Sequence, residues 1–276
     1  MNMRNCLVPA RWLAASCLLS VMPPSAFGGG KDEPKFEDPS FVPAPPQEVK
    51  AAAPNAYRIL FVGNSITRHA IVLDPLKWDH EAGMAASSEA NDYAHRFGAL
   101  VQRTMPERKV ELLFGNVNER LLKKGEAISF GNRPPPDLVI IQTGEHEGPG
   151  KSKAEIAALY EKSLIKPYHD LTPRPLIICT GLWCPNVGGT GGPYGAWIRD
   201  VNDAYREVCA KYQIPFASVE SVATDPSCNG WGEHPGVKWH PNDKGMEGYA
   251  RLLFEAYCHK MGLDAHGESE RLPAAR

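Results

Sequence analysis

Five short apolar runs, each followed by glycine or polar residues and then by room for a helix, constrain this chain more than any other feature. They are Arg58–Gly63, Lys109–Phe114, Asp137–Gln142, Pro175–Thr180 and Pro215–Val219. Apolar runs this short, with little polar alternation, are what strands buried on both faces look like. Segments with apolar residues at helical spacing lie between them. Tyr93–Thr104 carries Ala94, Phe97, Leu100 and Val101, and Lys153–Leu164 carries Ile156, Ala157, Tyr160 and Leu164. Trp197–Tyr212 aligns Val201, Tyr205, Val208 and Tyr212, while Lys244–Met261 closes the series and Asn118–Ala127 predicts a shorter helix. Strand–helix alternation of this kind implies an α/β fold with a five-stranded parallel sheet covered on both faces. A hydrophobic content of 43% is enough to fill that core. Residues 67–90 read as loop. The glycine-rich stretch Gly188–Gly195 lacks the flanks of a phosphate loop and reads as a mobile surface loop beside the site.

The N-terminal region has a different character. Arg4 and Arg11 precede an apolar run from Trp12 to Met22, followed by small residues with Ala26 and Gly28 placed for a cut. This is the pattern of an export signal, expected to end at residue 28, and it implies a secreted or periplasmic protein. The run is too short for a confident membrane span, so stable membrane insertion is not expected. Cys17 follows Ala14-Ala15-Ser16, a faint lipoprotein pattern, but Leu18 and Leu19 carry the apolar run past it. Residues 29–55 hold Pro34, Pro39, Pro43, Pro45, Pro46 and Pro54 and read as a disordered linker. The folded domain is then expected over residues 56–265, with a disordered tail at 266–276. Net charge is −2, which gives no basic footprint for a nucleic-acid partner. Five cysteines follow the signal: Cys179, Cys184, Cys209, Cys228 and Cys258. They read as buried small hydrophobes, although Cys179 and Cys184 are close enough in sequence to bridge.

Ligands of open α/β sheets bind beyond the carboxyl ends of the strands. Three strand ends or nearby loops carry chemistry. Gly63-Asn64-Ser65 follows the first run, and a serine there is either a nucleophile awaiting a base or a helix cap. Gln142-Thr143-Gly144-Glu145-His146-Glu147 follows the third run. Trp239-His240-Pro241 precedes the last helix, and proline beyond the histidine restrains the backbone of a candidate base.

Taken together, these blocks resemble the SGNH (GDSL-like) hydrolases over roughly residues 57–262. Gly63-Asn64-Ser65 matches the family's first block and His240-Pro241 its last, in the same chain order. The resemblance implies a flavodoxin-like three-layer α/β/α sandwich and hydrolysis of esters through an acyl-serine intermediate. Ser65 would be the nucleophile and His240 the base. The oxyanion hole would be formed by Ser65, Gly115 (with Gly83 as rival) and His146, which stands where the family has asparagine. The family's aspartate, three residues before the histidine, is here Val237. Three readings stand: a Ser–His dyad with a backbone carbonyl holding the ring, an acid reaching in from Glu233 or Asp225, or impaired catalysis. The dyad is preferred. Asp243 reads as a helix N-terminal charge rather than a catalytic acid.

The expected activity is that of a secreted serine esterase removing acyl, most simply acetyl, groups from a small-molecule or polysaccharide ester. Trp78, Trp183, Trp197, Trp231 and Trp239 are candidates to line the mouth, and aromatic faces suit sugar rings. An O-acyltransferase on the same scaffold and a non-catalytic carbohydrate-binding relative are the alternatives. No cofactor is implied. No metal is expected either, since none of the nine histidines forms a pair at four-residue helical spacing, although His234 and His240 share one loop.

Overall fold

A computed structural model describes residues 55–116, 135–145, 150–185 and 193–265. The expected export signal, the tail, the helix at Asn118–Ala127 and the linker up to its last residue, Asn55, lie outside the described residues. So does His146.

The five expected strands form one sheet: β1 Tyr57–Gly63, β2 Val110–Asn116, β3 Leu138–Ile141, β4 Leu176–Thr180 and β5 Phe216–Ala217. Their order is β2-β1-β3-β4-β5, and every pairing is parallel. This is the flavodoxin-like order, and it reverses between β1 and β3.

Six α-helices among the described residues accompany the sheet. They are α1 Tyr93–Thr104, α2 Lys153–Tyr160, α3 Pro193–Lys211, α4 Glu220–Ala223, α5 Pro235–Trp239 and α6 Asp243–Met261. Helix α2 continues through a π turn, Glu161–Ile165, into Lys166–His169.

Alternation along β1 separates the two cores, because successive side chains of a strand face opposite sides. Tyr57, Ile59 and Phe61 join Phe97, Val101, Leu253 and Phe254 of α1 and α6. Leu60 and Val62 join Ile156, Tyr160, Val201 and Tyr205 of α2 and α3. A sheet with helices on each face is the covered parallel sheet that the alternation of runs implied, and the three-layer sandwich that the resemblance implied.

Local signals place the helix ends. Asp92 caps α1 by accepting from the His95 N–H, Ser152 and Glu155 form a reciprocal capping box at α2, and Asn242 caps α6 by accepting from Gly245 N–H. Helix α6 stops at Gly262, whose φ of 69° is left-handed.

Some boundaries differ from expectation. Strand β2 runs on to Asn116, so Gly115 lies within it, opposite Val62, rather than just beyond it. Strand β5 is two residues long because only Phe216 and Ala217 pair with β4 at the sheet edge. Pro193–Gly195, expected in a surface loop, open α3; the rest of that glycine-rich stretch lies outside the described residues. The five cysteines among the described residues are buried and in no disulfide, so Cys179 and Cys184 are not bridged.

The exit from β1 has no spare space. A Cβ at Gly63 would overlap the Thr67 side chain and stand 2.8 Å from Gln142 Oε1. Thr67 cannot yield easily, because its hydroxyl bonds both Tyr93 and Gln142. We therefore expect Gly63→Ala to lower stability by about 1–3 kcal/mol through overpacking. Urea unfolding measures this, and a wild-type midpoint would contradict it.

Candidate active site

The order reversal between β1 and β3 opens a crevice at the carboxyl ends of those two strands. Ser65 stands there, two residues beyond β1, in a tight turn. The Asn64 carbonyl accepts from the N–H groups of Thr67 and Arg68, each at 3.0 Å, and the Asn64 side chain accepts from Ile66 N–H. Across the turn, Met84 N–H donates to the Ser65 carbonyl, which ties the serine to the loop of residues 82–86.

His240 arrives from the other end of the chain. It caps the C-terminus of α5, its N–H bonding the Val237 carbonyl at 3.1 Å. Ser65 Oγ lies 2.7 Å from His240 Nε2, and both residues are buried. The ring's other nitrogen, Nδ1, lies 2.5 Å from the Gly236 carbonyl. A carbonyl oxygen can only accept, so Nδ1 carries the proton. In the neutral ring Nε2 is then the bare nitrogen facing the serine hydroxyl, which is the tautomer a general base needs. This arrangement can draw the proton from Ser65 and return it to a leaving group.

The residue three positions before His240 contributes packing. Val237 is buried with Trp78, Met84 and Ala85. The alternative acids are engaged elsewhere. Asp225 accepts from Ser227 and from Lys244 Nζ at 2.9 Å, and these bonds hold its carboxyl well below the usual range. The Glu233 side chain is almost fully in solvent, 4.0 Å from Lys77. Asp243 accepts from both N–H and hydroxyl of Ser87, so it anchors the start of α6 to the loop before α1.

A residue not assigned a role from sequence stands behind the serine. Glu145 is buried, and its carboxylate accepts from Asn64 Nδ2 at 2.7 Å, Gln142 Nε2 at 2.9 Å and Trp183 N–H at 3.0 Å. Gln142 in turn accepts from Asn64 N–H and the Thr67 hydroxyl through Oε1. The carboxylate thus joins the ends of β1, β3 and β4 beneath the Ser65 turn. The signal for it was the cluster of polar residues directly behind an apolar strand. Burial first, and then the nearby Glu145 charge, push the Tyr249 phenol far up, so it stays a protonated donor to Thr180 Oγ1.

Of the expected oxyanion groups, Ser65 lies in the turn just described. Gly115 is level with Val62 at the same end of the sheet. The rival Gly83 is a packing glycine: its N–H is directed to Asp92 Oδ2, and a Cβ would meet the Ile66 carbonyl and Met246. The tryptophans divide sharply. Trp78, Trp183 and Trp197 are buried and Trp239 is partly so, leaving Trp231 as the exposed one among the described residues. Among the described residues no group of three or more His, Cys, Asp or Glu is placed to hold a metal ion. No helix among them is long and apolar enough to cross a membrane.

No protein-family profile and no curated protein sequence matches the chain. Solved structures do. LAE5, an alpha/beta hydrolase enzyme from the metagenome of Lake Arreo in Spain, superposes with a TM-score of 0.51 at 15% identity, covering 79% of this chain and 97% of its own. A variant of Axe2, an acetyl-xylooligosaccharide esterase from Geobacillus stearothermophilus, gives 0.50 at 15% identity over 76% of this chain and 95% of its own. CEX, a two-domain esterase active on acetylated mannans, gives 0.53 at 18% identity over 80% of this chain and 53% of its own. At such identities the likeness is one of fold, the α/β architecture with a parallel sheet.

Proposed function

We propose that the protein is an exported serine esterase of the SGNH type that removes acetyl groups from carbohydrate through an acyl-serine intermediate. The observation that carries this reading is the pairing of Ser65 Oγ with His240 Nε2 at 2.7 Å while Gly236 holds Nδ1. Serine is inert without a base, and this one has a base in the right tautomer within hydrogen-bond reach.

In the proposed reaction, His240 takes the Ser65 proton as Oγ attacks the ester carbonyl. The oxyanion is received by the Ser65 N–H, with Gly115 and His146 as the further donors that the family resemblance implies. The C–O bond to the alcohol breaks as His240 returns the proton to the leaving oxygen. Water, deprotonated by the same ring, then releases acetate and restores Ser65. Glu145 acts here as a positioning residue, holding Asn64 and so the turn that presents Oγ. The binding-only alternative drew on Val237 and His146; a carbonyl that already orients the ring answers Val237, while His146 lies outside the described residues.

Two lines support the substrate. The names of Axe2 and CEX describe esterases of acetylated xylooligosaccharides and mannans. A tryptophan stands exposed beside the histidine-bearing segment. Export is supported by Arg4, Arg11, the apolar run that follows and the small residues Ala26 and Gly28.

Ser65→Ala and His240→Ala should each lower kcat for acetate release from acetylated xylan by about four to six orders of magnitude. A fluorophosphonate should label wild type at Ser65 and spare Ser65→Ala. A protein that is folded yet neither labelled nor active would defeat the esterase reading, and activity confined to long-chain esters would defeat its substrate.

Loss of an orienting acid costs about 10⁴ in kcat in the serine-protease template, so an Asp225→Asn variant staying within about threefold of wild type is expected of a dyad. A collapse comparable to loss of an acid would restore Asp225 as the third member.

Glu145→Gln should cost about 1.5–3 kcal/mol in urea unfolding, because an amide N–H is turned toward a donor. Its kcat should fall with KM nearly unchanged, since Glu145 acts on the nucleophile's turn; a change in KM alone would argue against the positioning role.

A further inference from the structure

One groove of about 310 Å³ lies between residues 75–77 and residues 231–237. Its walls come from the two chain segments that carry the Ser–His pair. The first follows Ser65 in the loop whose Met84 N–H holds the Ser65 carbonyl. The second runs directly into α5, which supplies Gly236 and ends on His240. The walls are joined by the Trp231 indole, whose Nε1–H donates to the Ala85 carbonyl at 2.8 Å.

The lining has two chemistries. Trp231, 45% exposed, and the buried Leu76 supply apolar surface. Trp231 is fixed in place by its Ala85 bond and by Trp78, whose ring centroid is 6.3 Å away. Lys77, Glu233 and His234 supply the polar groups. Lys77 and Glu233 are 4.0 Å apart with side chains 81% and 95% exposed, a pair worth little to the fold and open to a ligand. His234 Nδ1 accepts from Gly236 N–H, which leaves Nε2–H as a donor in the neutral ring. A pocket for an acyl chain would be apolar throughout. An apolar platform edged by donors and an acceptor instead matches a ring with one C–H face and a rim of hydroxyls, which both donate and accept.

We propose that this groove is a leaving-group subsite that seats a pyranose ring of the alcohol half of the ester against Trp231, beside the sugar residue whose acetyl group meets Ser65. The proposal rests on the carbohydrate esterase reading and adds where the glycan lies. The exposed face of Trp231 would meet the glycan and not the acetyl group, so its loss should weigh more on long substrates than on small ones.

The test compares wild type, Trp231→Ala and Trp231→Phe on para-nitrophenyl acetate, para-nitrophenyl octanoate and acetylated xylo- and manno-oligosaccharides. For Trp231→Ala, KM on an acetylated oligosaccharide should rise about tenfold, as expected for loss of one aromatic contact. Trp231→Phe should recover part of that loss, and for either variant the fall in kcat/KM on para-nitrophenyl acetate should be at least several-fold smaller than the fall on the oligosaccharide. Equal losses on small and large esters would overturn the proposal, since the indole would then only brace the Ala85 loop. Unchanged KM on the oligosaccharides would overturn it while leaving the esterase reading intact, and a selective loss on the octanoate would reassign the groove to an acyl chain. If wild type cleaves only the synthetic esters, the substrate reading fails. Calorimetric titration of Ser65→Ala protein with xylotetraose and mannotetraose then decides the groove separately. Binding lost on adding Trp231→Ala upholds a sugar site, and no binding overturns it.

Discussion

An imidazole can act as a base only through the nitrogen that lacks a proton, and here one backbone carbonyl decides which nitrogen that is. Gly236 O stands 2.5 Å from His240 Nδ1, where the SGNH pattern read from the sequence would bring an aspartate. In the serine-protease template, replacing that acid by an amide costs about 10⁴ largely because the ring adopts the wrong tautomer. A carbonyl cannot donate, so it avoids that failure while supplying a dipole instead of a full charge. Tautomer and orientation are retained, and the share given up is stabilisation of the imidazolium as it forms. Val237 can then be an apolar residue, because the turn it belongs to presents the neighbouring carbonyl to the ring.

The Ser65 side is held by a different device. Parallel strands β1, β3 and β4 end at one level, and their last backbone groups would be costly to bury unpaired. Glu145 and Gln142 collect two of them, the N–H groups of Trp183 and Asn64, together with side-chain donors. One carboxylate takes donors from Asn64, Gln142 and Trp183, and one amide takes Asn64 N–H and the Thr67 hydroxyl. Networks of this type fix a single geometry only when they are well satisfied. That explains why the exit of β1 tolerates no Cβ at Gly63 and why the serine turn is shared between a strand end and a buried acid.

The fold was legible because it depends on period. Helix Tyr93–Thr104 matches its expected span, and five apolar runs became five parallel strands. Ends were less legible where pairing decides them. Gly115 stays in β2 because Val62 lies opposite, and β5 shrinks because only two of its residues find partners on β4. The pairing of Ser65 with His240 could be anticipated from two blocks of side chains. The Gly236 carbonyl could not be singled out, since every residue has one and only the α5 turn aims this one at the ring. Glu145 was visible as a polar residue behind a strand, but its partners lie on three chain segments that come together only in the sheet. The tryptophans looked alike in sequence, and packing alone left Trp231 exposed.

The segment 228–243 carries out several of these tasks at once, and its internal bonds show how. Gly230 has room for hydrogen only, because a Cβ would press on the Val237 carbonyl, Ala85 and the His240 carbonyl. Asn242 spans back to the carbonyls of Ser227 and Asn229, while Gly230 N–H bonds the Lys238 carbonyl. Trp183 Nε1 secures the Trp239 carbonyl from the end of β4. The loop is thereby cross-braced on both sides of His240. Bracing of this kind lowers the cost of ordering the ring when a substrate arrives, because little motion remains to be lost. It also means that a side chain exposed on the same loop, Trp231, is held in register with the proposed base, so contact with a ligand in the groove is made on a frame that already fixes the position of the imidazole.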